Sequence, residues 1–317
     1  MNKESFWSSE LRVKDGNASA GSQRGYTMIN EIGRYGMGWI PDYPDIRDYT
    51  KDTKEIEEMF GSIKRKMKKA MPESVDIREW CSPIDNQGSL GSCTAHAGAG
   101  MIEYYEMRAF GKFTKASRLF LYKATRNLMK MKGDTGAFLR TTMGAMVLFG
   151  APPEDYWQYT DDETEFDIEP PAFCYAFAQN YQTIKYFRHD TPGISKNGLM
   201  EQMKSYLVSG HPSMFGFSVY SSIREAEKTG RIPFPSQKEK ILGGHAIMAV
   251  GYDDRMKIRN PYSKKETIGA LLIRNSWGET WGEKGYGWLP YDYVLSGLAQ
   301  DSWSVLKKEW IDTTRFE

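Results

Sequence analysis

Asp85-Asn86-Gln87-Gly88-Ser89-Leu90-Gly91-Ser92-Cys93-Thr94-Ala95-His96-Ala97-Gly98 carries the signal that decides how this chain is read. Four small or flexible residues, Gly88, Ser89, Gly91 and Ser92, bring the backbone up to one cysteine, and an Ala/Gly-rich segment of helical character leaves from it. Unpaired N–H groups and the macrodipole at a helix N-terminus favour negative charge, so a loop that hands a thiol to such a terminus is a place to make a thiolate. Chemistry is the first hypothesis. From Thr94 to Phe110, Ala95, Ala99, Ile102 and Met107 fall near helical spacing with small residues on other faces, which predicts a helix packed on most of its sides.

Working outward, Ser117 can N-cap a second helix through Leu119, Phe120 and Tyr122, and Phe138 to Phe149 reads as a third. From Pro212 the texture changes to short strand-like runs: Met214 to Tyr220, His245 to Tyr252, Ile268 to Asn275, Gly285 to Leu289 and Ser302 to Leu306. A helical first half and a β second half predict an α+β chain with a cleft between two lobes. Upstream, Trp39-Ile40-Pro41-Asp42-Tyr43-Pro44-Asp45 has two prolines that hold it extended, with Trp39 and Tyr43 as apolar anchors, a piece that can line a groove. Lys51 to Met71 reads as a helix, acidic early and basic late, with the Lys64–Lys69 cluster as a solvated helix end, and Pro72 marks a boundary.

Composition narrows the classes. With 317 residues, 40% of them hydrophobic and 14% aromatic, the chain can bury a core without staples. A net charge of +1, from 42 basic and 41 acidic residues, gives no global field to recruit nucleic acid or a membrane surface. Cys81, Cys93 and Cys174 are few and odd in number, so free thiols are expected rather than a disulfide frame. No stretch approaches the ~18 apolar residues of a membrane span, and no signal-peptide core is visible, so a cytoplasmic or non-classically exported protein is expected. Cys81 and Cys174 read as packed thiols, and Asp161 to Asp167 reads as a solvated acidic loop; neither a metal nor a cofactor is expected.

A cysteine nucleophile needs a base for its proton, a group that holds the base in the useful tautomer, and donors for the oxyanion formed on attack. Four histidines are available. His96 sits on the helix behind Cys93 and reads as packing, while His189 and His211 read as surface residues. His245 lies in Gly243-Gly244-His245-Ala246-Ile247, where two glycines let another backbone approach and a strand fixes the ring; alone, its functional and structural readings are evenly weighted. Asn275, in Asn275-Ser276-Trp277-Gly278-Glu279-Thr280-Trp281-Gly282, can accept the imidazole N–H, with Trp277 shielding that bond.

Gln87-Gly88-x-x-Gly91-Ser92-Cys93, Gly244-His245-Ala246 and Asn275-Ser276-Trp277-Gly278-x-x-Trp281-Gly282, in this order, resemble the papain family of cysteine peptidases from about Pro72 to Lys308. His245 lies 152 residues after Cys93 and Asn275 182 after it, so the second interval is longer than the family's usual ~130–150. Insertions between Asp161 and Pro170 or around Pro233 to Lys240 would account for it. The resemblance implies a two-lobed fold, with a helical lobe over about 90–210 and an antiparallel, barrel-like β lobe over about 211–308. It implies Cys93 as nucleophile, resting largely as thiolate against an imidazolium, His245 as general base and acid, Asn275 as orienter and Gln87 as oxyanion donor. Gly91, Ser92, Thr135, Gly136, Gly244 and Trp277 become the candidate substrate contacts, with Thr135-Gly136 standing where the family usually has Gly-Gly.

Leu90 stands where the family often has a disulfide cysteine, and Thr94 replaces the aromatic residue that usually follows the nucleophile. The histidine motif is closest to the cathepsin B version, without the His-His pair of an occluding loop, so an endopeptidase is expected. Residues 1–72 then read as a propeptide-like segment, with Gly36 to Asp45 plugging the cleft as an intramolecular inhibitor, and 73–317 as the peptidase domain. A monomer acting on polypeptide substrate is expected. The alternatives are acyl transfer to an amine by the same triad, and a non-catalytic binding protein on the same scaffold.

Overall fold

The computed structural model describes residues 35–60, 71–182, 185–313 and 315. The Lys64–Lys69 cluster lies outside them. An N-terminal strap carries β1 (Trp39–Ile40) and α1 (Lys54–Phe60), and β2 (Ser74–Asp76) follows. The helical part holds α2 (Cys93–Phe110), α3 (Arg118–Leu128), the short β3 (Ala137–Phe138), α4 (Leu139–Leu148) and α5 (Ala172–Ala178). Then come β4 (Lys185–Arg188), α6 (Lys196–Val208), β5 (Ser213–Tyr220), β6 (Ile241–Arg259), β7 (Glu266–Arg274), β8 (Tyr286–Pro290), α7 (Tyr291–Leu295), β9 (Ala299–Leu306) and α8 (Lys308–Ile311).

Helix α2 is the axis of the molecule. Its first thirteen residues are all buried, which the run of Ala and Gly allows: a Cβ on Gly98 would press on Met146 of α4 and one on Gly100 on Arg274 of β7. Gly111 ends it in the left-handed conformation at φ 71°, donating to the Met107 carbonyl at 2.8 Å. Ser117 caps α3 as its sequence position predicts, its Oγ accepting from the Phe120 N–H at 3.1 Å, a bond typically worth about 1 kcal/mol. Thr94, the departure next to Cys93, accepts a 3.0 Å hydrogen bond from the Thr142 hydroxyl of α4.

The sheet runs β4-β9-β5-β6-β7-β8, antiparallel throughout, with β2 paired to β6. No described strand closes it, so the barrel-like expectation gives way to an open, bulged sheet. Strand β4 lies within it, and α6 packs against β6 through a Lys204–Asp254 ion pair of 2.6 Å, so the sheet claims residues that sequence texture assigned to the helical half. One hydrophobic core spans both halves.

A buried charge cluster pins the loop before Cys93. Glu103, fully buried on α2, takes both Arg118 guanidinium nitrogens at 2.8 Å, and Arg118 also reaches Asp85 at 2.6 Å. Three sequence readings are corrected. His189 and His211 are fully buried, bonded to Ser304 (2.8 Å) and Gln202 (3.1 Å), and to Tyr105 (3.2 Å). Asp167, in the acidic run, pairs with Lys123 and Arg126 at 2.7 Å and accepts from the Gly133 N–H at 2.8 Å, so that end of the loop is structural. Tyr43 is 88% exposed and anchors nothing through its ring, whereas Trp39 is buried.

Candidate active site

Cys93 is the first residue of α2, delivered by a loop held at both ends. Gln87 N–H donates to the Ser276 carbonyl at 2.8 Å and Asn86 bridges Trp277, which ties the loop to the strand end bearing Asn275. Asp134 accepts from the Gly91 N–H at 2.9 Å and Tyr159 donates to the Gln87 carbonyl at 2.8 Å, fixing the loop to the helical side. Gly88 has φ 56°, and a Cβ there would overlap the Asp161 carboxylate, so the turn needs glycine twice over.

From the other lobe, β6 presents His245, and the next residue's N–H donates to Cys93 Sγ at 3.4 Å. The tautomer follows from the partners. Asn275 Oδ1 accepts from its neighbour's N–H, that of Ser276, at 2.8 Å and meets His245 Nε2 at 2.8 Å, so Nε2 must carry the proton. Nδ1 is buried with no hydrogen-bond partner among the described residues, a bare acceptor on the ring. Trp277 stacks on His245 with centroids 4.5 Å apart and planes 25° apart, covering the His–Asn bond.

The side-chain amide of Gln87 is oriented just as firmly. Its Oε1 accepts from Ser276 Oγ at 2.5 Å, and Nε2 donates to the carbonyls of Leu90 (2.7 Å) and Gly36 (3.0 Å). The second acceptor belongs to the strap, which runs through the cleft past Gln87 and Cys93. Gly36 N–H donates to the Gly88 carbonyl at 2.9 Å, and Ala137 N–H donates to the Gly38 carbonyl at 2.7 Å, while the Gly38 N–H lies near Cys93 Sγ and favours its charged form. There β1 pairs with β3 in parallel. Tyr35 stacks on the outer face of Trp277 at 4.8 Å, sandwiching the indole between Tyr35 and His245.

Burial sets the electrostatics. Burial pushes the Cys93 thiol up to about 11, against the pull of the N–H groups of Ala246, Gly38 and Thr94, and lowers His245 to about 4 against its bond to Asn275. Desolvation of the two buried groups therefore works against the thiolate–imidazolium pair that the sequence reading expects, and opposes the pull of the helix terminus.

Gly91, Gly136 and Gly244 face the strap. A Cβ on Gly136 would overlap the Gly38 carbonyl, one on Gly244 would stand 2.5 Å from the Trp39 carbonyl, and Gly91 lies against the Gly38 Cα. Thr135 borders an apolar cavity of about 530 Å³ beside the strap. Ser92 turns inward instead, its Oγ bonded to the Tyr159 hydroxyl at 2.7 Å. Sequence reasoning missed Asp134, Tyr159 and Ser276, whose roles depend on partners from distant segments; only Ser276 lay inside a motif.

The sequence profile of the papain family of cysteine proteases matches residues 71–305. The chain is 34% identical over 282 residues to an uncharacterized peptidase C1-like protein of Acanthamoeba polyphaga mimivirus, covering 85% of this chain and 86% of that one. It is 25% identical over 256 residues to cathepsin K of Mus musculus, covering 78% and 65%. Among solved structures it is similar to xylellain, a cysteine protease of Xylella fastidiosa, at 31% identity and TM-score 0.68, over 86% of this chain and 96% of that chain. Procathepsin L 3 of Tenebrio molitor, at 18% identity and TM-score 0.55 over 76% and 71% of the two chains, shares the fold. With the motif residues gathered in one cleft and the profile covering most of the chain, this protein belongs to the papain family of cysteine proteases.

Proposed function

We propose that this cysteine peptidase cleaves polypeptides internally through Cys93, His245, Asn275 and Gln87, and that its N-terminal strap holds it as a zymogen. His245 Nδ1 takes the thiol proton, the sulfur attacks the scissile carbonyl, and the oxyanion is met by Gln87 Nε2 and the Cys93 N–H. The imidazolium then protonates the leaving amine, and water hydrolyses the thioester. The observation that carries this reading is the His245–Asn275 bond, which fixes the proton on Nε2 and leaves Nδ1 bare one residue from the amide that touches the sulfur.

Two contacts support inhibition by the strap. It places the Gly38 N–H, a group that cannot be attacked, near the sulfur, and it spends a Gln87 donor on the Gly36 carbonyl. Full-length protein is therefore expected to turn over peptides slowly until the strap is displaced, and Cys93→Ala is expected to abolish turnover by displaced protein while leaving its thermal unfolding unchanged. Hydrolysis that persists in that variant, or iodoacetamide labelling of the displaced protein elsewhere than at Cys93, would overturn the assignment.

A further inference from the structure

The sequence reads His96 as packing behind Cys93, yet its ring makes a directed hydrogen bond, and a chain of hydroxyls fixes where its proton sits. Tyr159 donates to the Gln87 carbonyl at 2.8 Å, since a carbonyl can only accept. Ser92 Oγ, 2.7 Å from the same hydroxyl, must then be the donor to Tyr159. No hydroxyl proton is left for His96 Nδ1, which lies 3.2 Å from the Ser92 carbonyl and 3.3 Å from Ser92 Oγ, both acting as acceptors. Nδ1 therefore carries a proton and shares it with Ser92. The other ring nitrogen, Nε2, is buried with no hydrogen-bond partner among the described residues, so the ring spends its hydrogen bonding on Ser92 alone. Tyr159 meets the imidazole edge-on, with centroids 4.9 Å apart and planes at 81°, which fixes the ring's orientation.

The Ser92 carbonyl and the Cys93 N–H are two ends of one planar peptide group. That carbonyl also accepts the first main-chain bond of α2, from the His96 N–H at 3.1 Å, so one residue holds it twice, by backbone and by ring. Ser92 is the N-cap of α2, where a serine usually accepts from the first turn; its Oγ makes no such bond and serves the hydroxyl chain instead. On the reading that this chain is a peptidase with the Cys93 N–H as an oxyanion donor, we propose that His96 is a positioning residue for the oxyanion. By holding the Ser92 carbonyl it orients the Ser92–Cys93 peptide plane, and by polarising that peptide it strengthens the Cys93 N–H as a donor. Hydrogen bonds linked through one group reinforce each other where water is excluded, and Ser92, Cys93 and His96 are all buried. The Tyr159 hydroxyl touches both Gln87 and Ser92, so a single side chain ties together the residues that frame the two donors.

Two substitutions set shape against hydrogen bonding. His96→Phe keeps a ring in the site and removes the donor; His96→Asn removes the ring and keeps an N–H near the Nδ1 position. Both are made in the full chain carrying Gly38→Val, where an added Cβ would overlap the Gly91 carbonyl and so dislodge the strap. His96→Phe is expected to lower kcat for peptide hydrolysis about three- to tenfold, the range for one neutral hydrogen bond, with KM unchanged. His96→Asn is expected to retain more of kcat than His96→Phe. Iodoacetamide alkylation of Cys93 forms an S–C bond and releases iodide without any oxyanion, so it is expected to run at the parent rate in His96→Phe. Parental kcat in His96→Phe, a lower kcat in His96→Asn than in His96→Phe, or alkylation that falls in step with kcat overturns the proposal and leaves the peptidase reading standing. The imidazole nitrogen NMR shifts of the intact protein give a check independent of activity: a proton on Nδ1 is expected, and one on Nε2 alone overturns the proposal. If the Gly38→Val protein alkylates at Cys93 and shows the Nδ1 proton but cleaves no peptide, the peptidase reading falls and the oxyanion role falls with it.

Discussion

The two halves of the strap are held in different ways. The inner half, residues 35–41, is seated by main-chain contact and shape: glycines on the strap meet glycines on both walls, while Tyr35 stacks on Trp277 and Trp39 reaches Asp301. The outer half, residues 42–56, is held by charge. Arg140 takes Asp42 at 2.6 Å, Asp48 at 2.8 Å and the Tyr43 carbonyl at 2.7 Å, while the buried Arg188 takes the Asp42 carbonyl at 2.9 Å. Ile56 then joins Phe187, Tyr206 and Leu306 in a small cluster of its own. On the proposed inhibitory reading, blocking and holding are encoded separately: the inner half depends on close backbone packing, the outer half on partly buried ion pairs that respond to salt.

The largest expected effect sharpens the inner half's role. With the thiol held up to about 11, its thiolate fraction in the covered cleft rises about tenfold per pH unit until that value, so iodoacetamide labelling of Cys93 in the intact protein should climb from pH 6 to pH 10 without levelling. His245, held at about 4, stays neutral across that range and supplies no cation to flatten the curve. A plateau below pH 8 in the intact protein would mean that the strap does not control the pair. Next in size is Gly38→Val. A Cβ there would overlap the Gly91 carbonyl, and backbone cannot yield as a side chain tip does. Overpacking of this kind costs roughly 1–3 kcal/mol, so labelling at pH 7 should speed up by about ten- to a hundredfold, with little dependence on salt.

The smallest effect tests the outer half. Arg140 is about a quarter exposed, its side chain at 24%, so its pairs are screened in part. Arg140→Ala should raise the labelling rate by only a fewfold, consistent with about 1 kcal/mol, and should remove the acceleration that salt produces in the parent protein. If Arg140→Ala matched Gly38→Val, or if salt accelerated both equally, the division between blocking and holding would collapse.

The candidate catalytic residues were legible because their constraints are local. A glycine-rich loop into a helix, two glycines before a histidine and an asparagine at a strand end each leave a short signature, and the structure gathers Cys93, His245, Asn275 and Gln87 into one cleft. The α2 and α3 boundaries were legible for the same reason, since Ser117 and Gly111 act within one turn. What failed depends on partners far along the chain. Nothing near His189 announces Ser304, and nothing near His211 announces Tyr105. The desolvation of Cys93 and His245 was not legible, because burial is set by segments distant along the chain. The open sheet was hidden because strand signals carry no information about closure.

The crossing of Gly38 over Gly91 and Gly136 is a single backbone wide, so strap and substrate cannot share it. On the proposed inhibitory role of the strap, occupancy of the cleft is a competition between a tethered chain and a free one. A tethered competitor acts at an effective concentration on the order of millimolar, above what most peptides reach in solution. Severing the chain anywhere between the outer clamp and β2 would leave every contact of the strap unchanged, yet would turn it into a ligand that dilution removes.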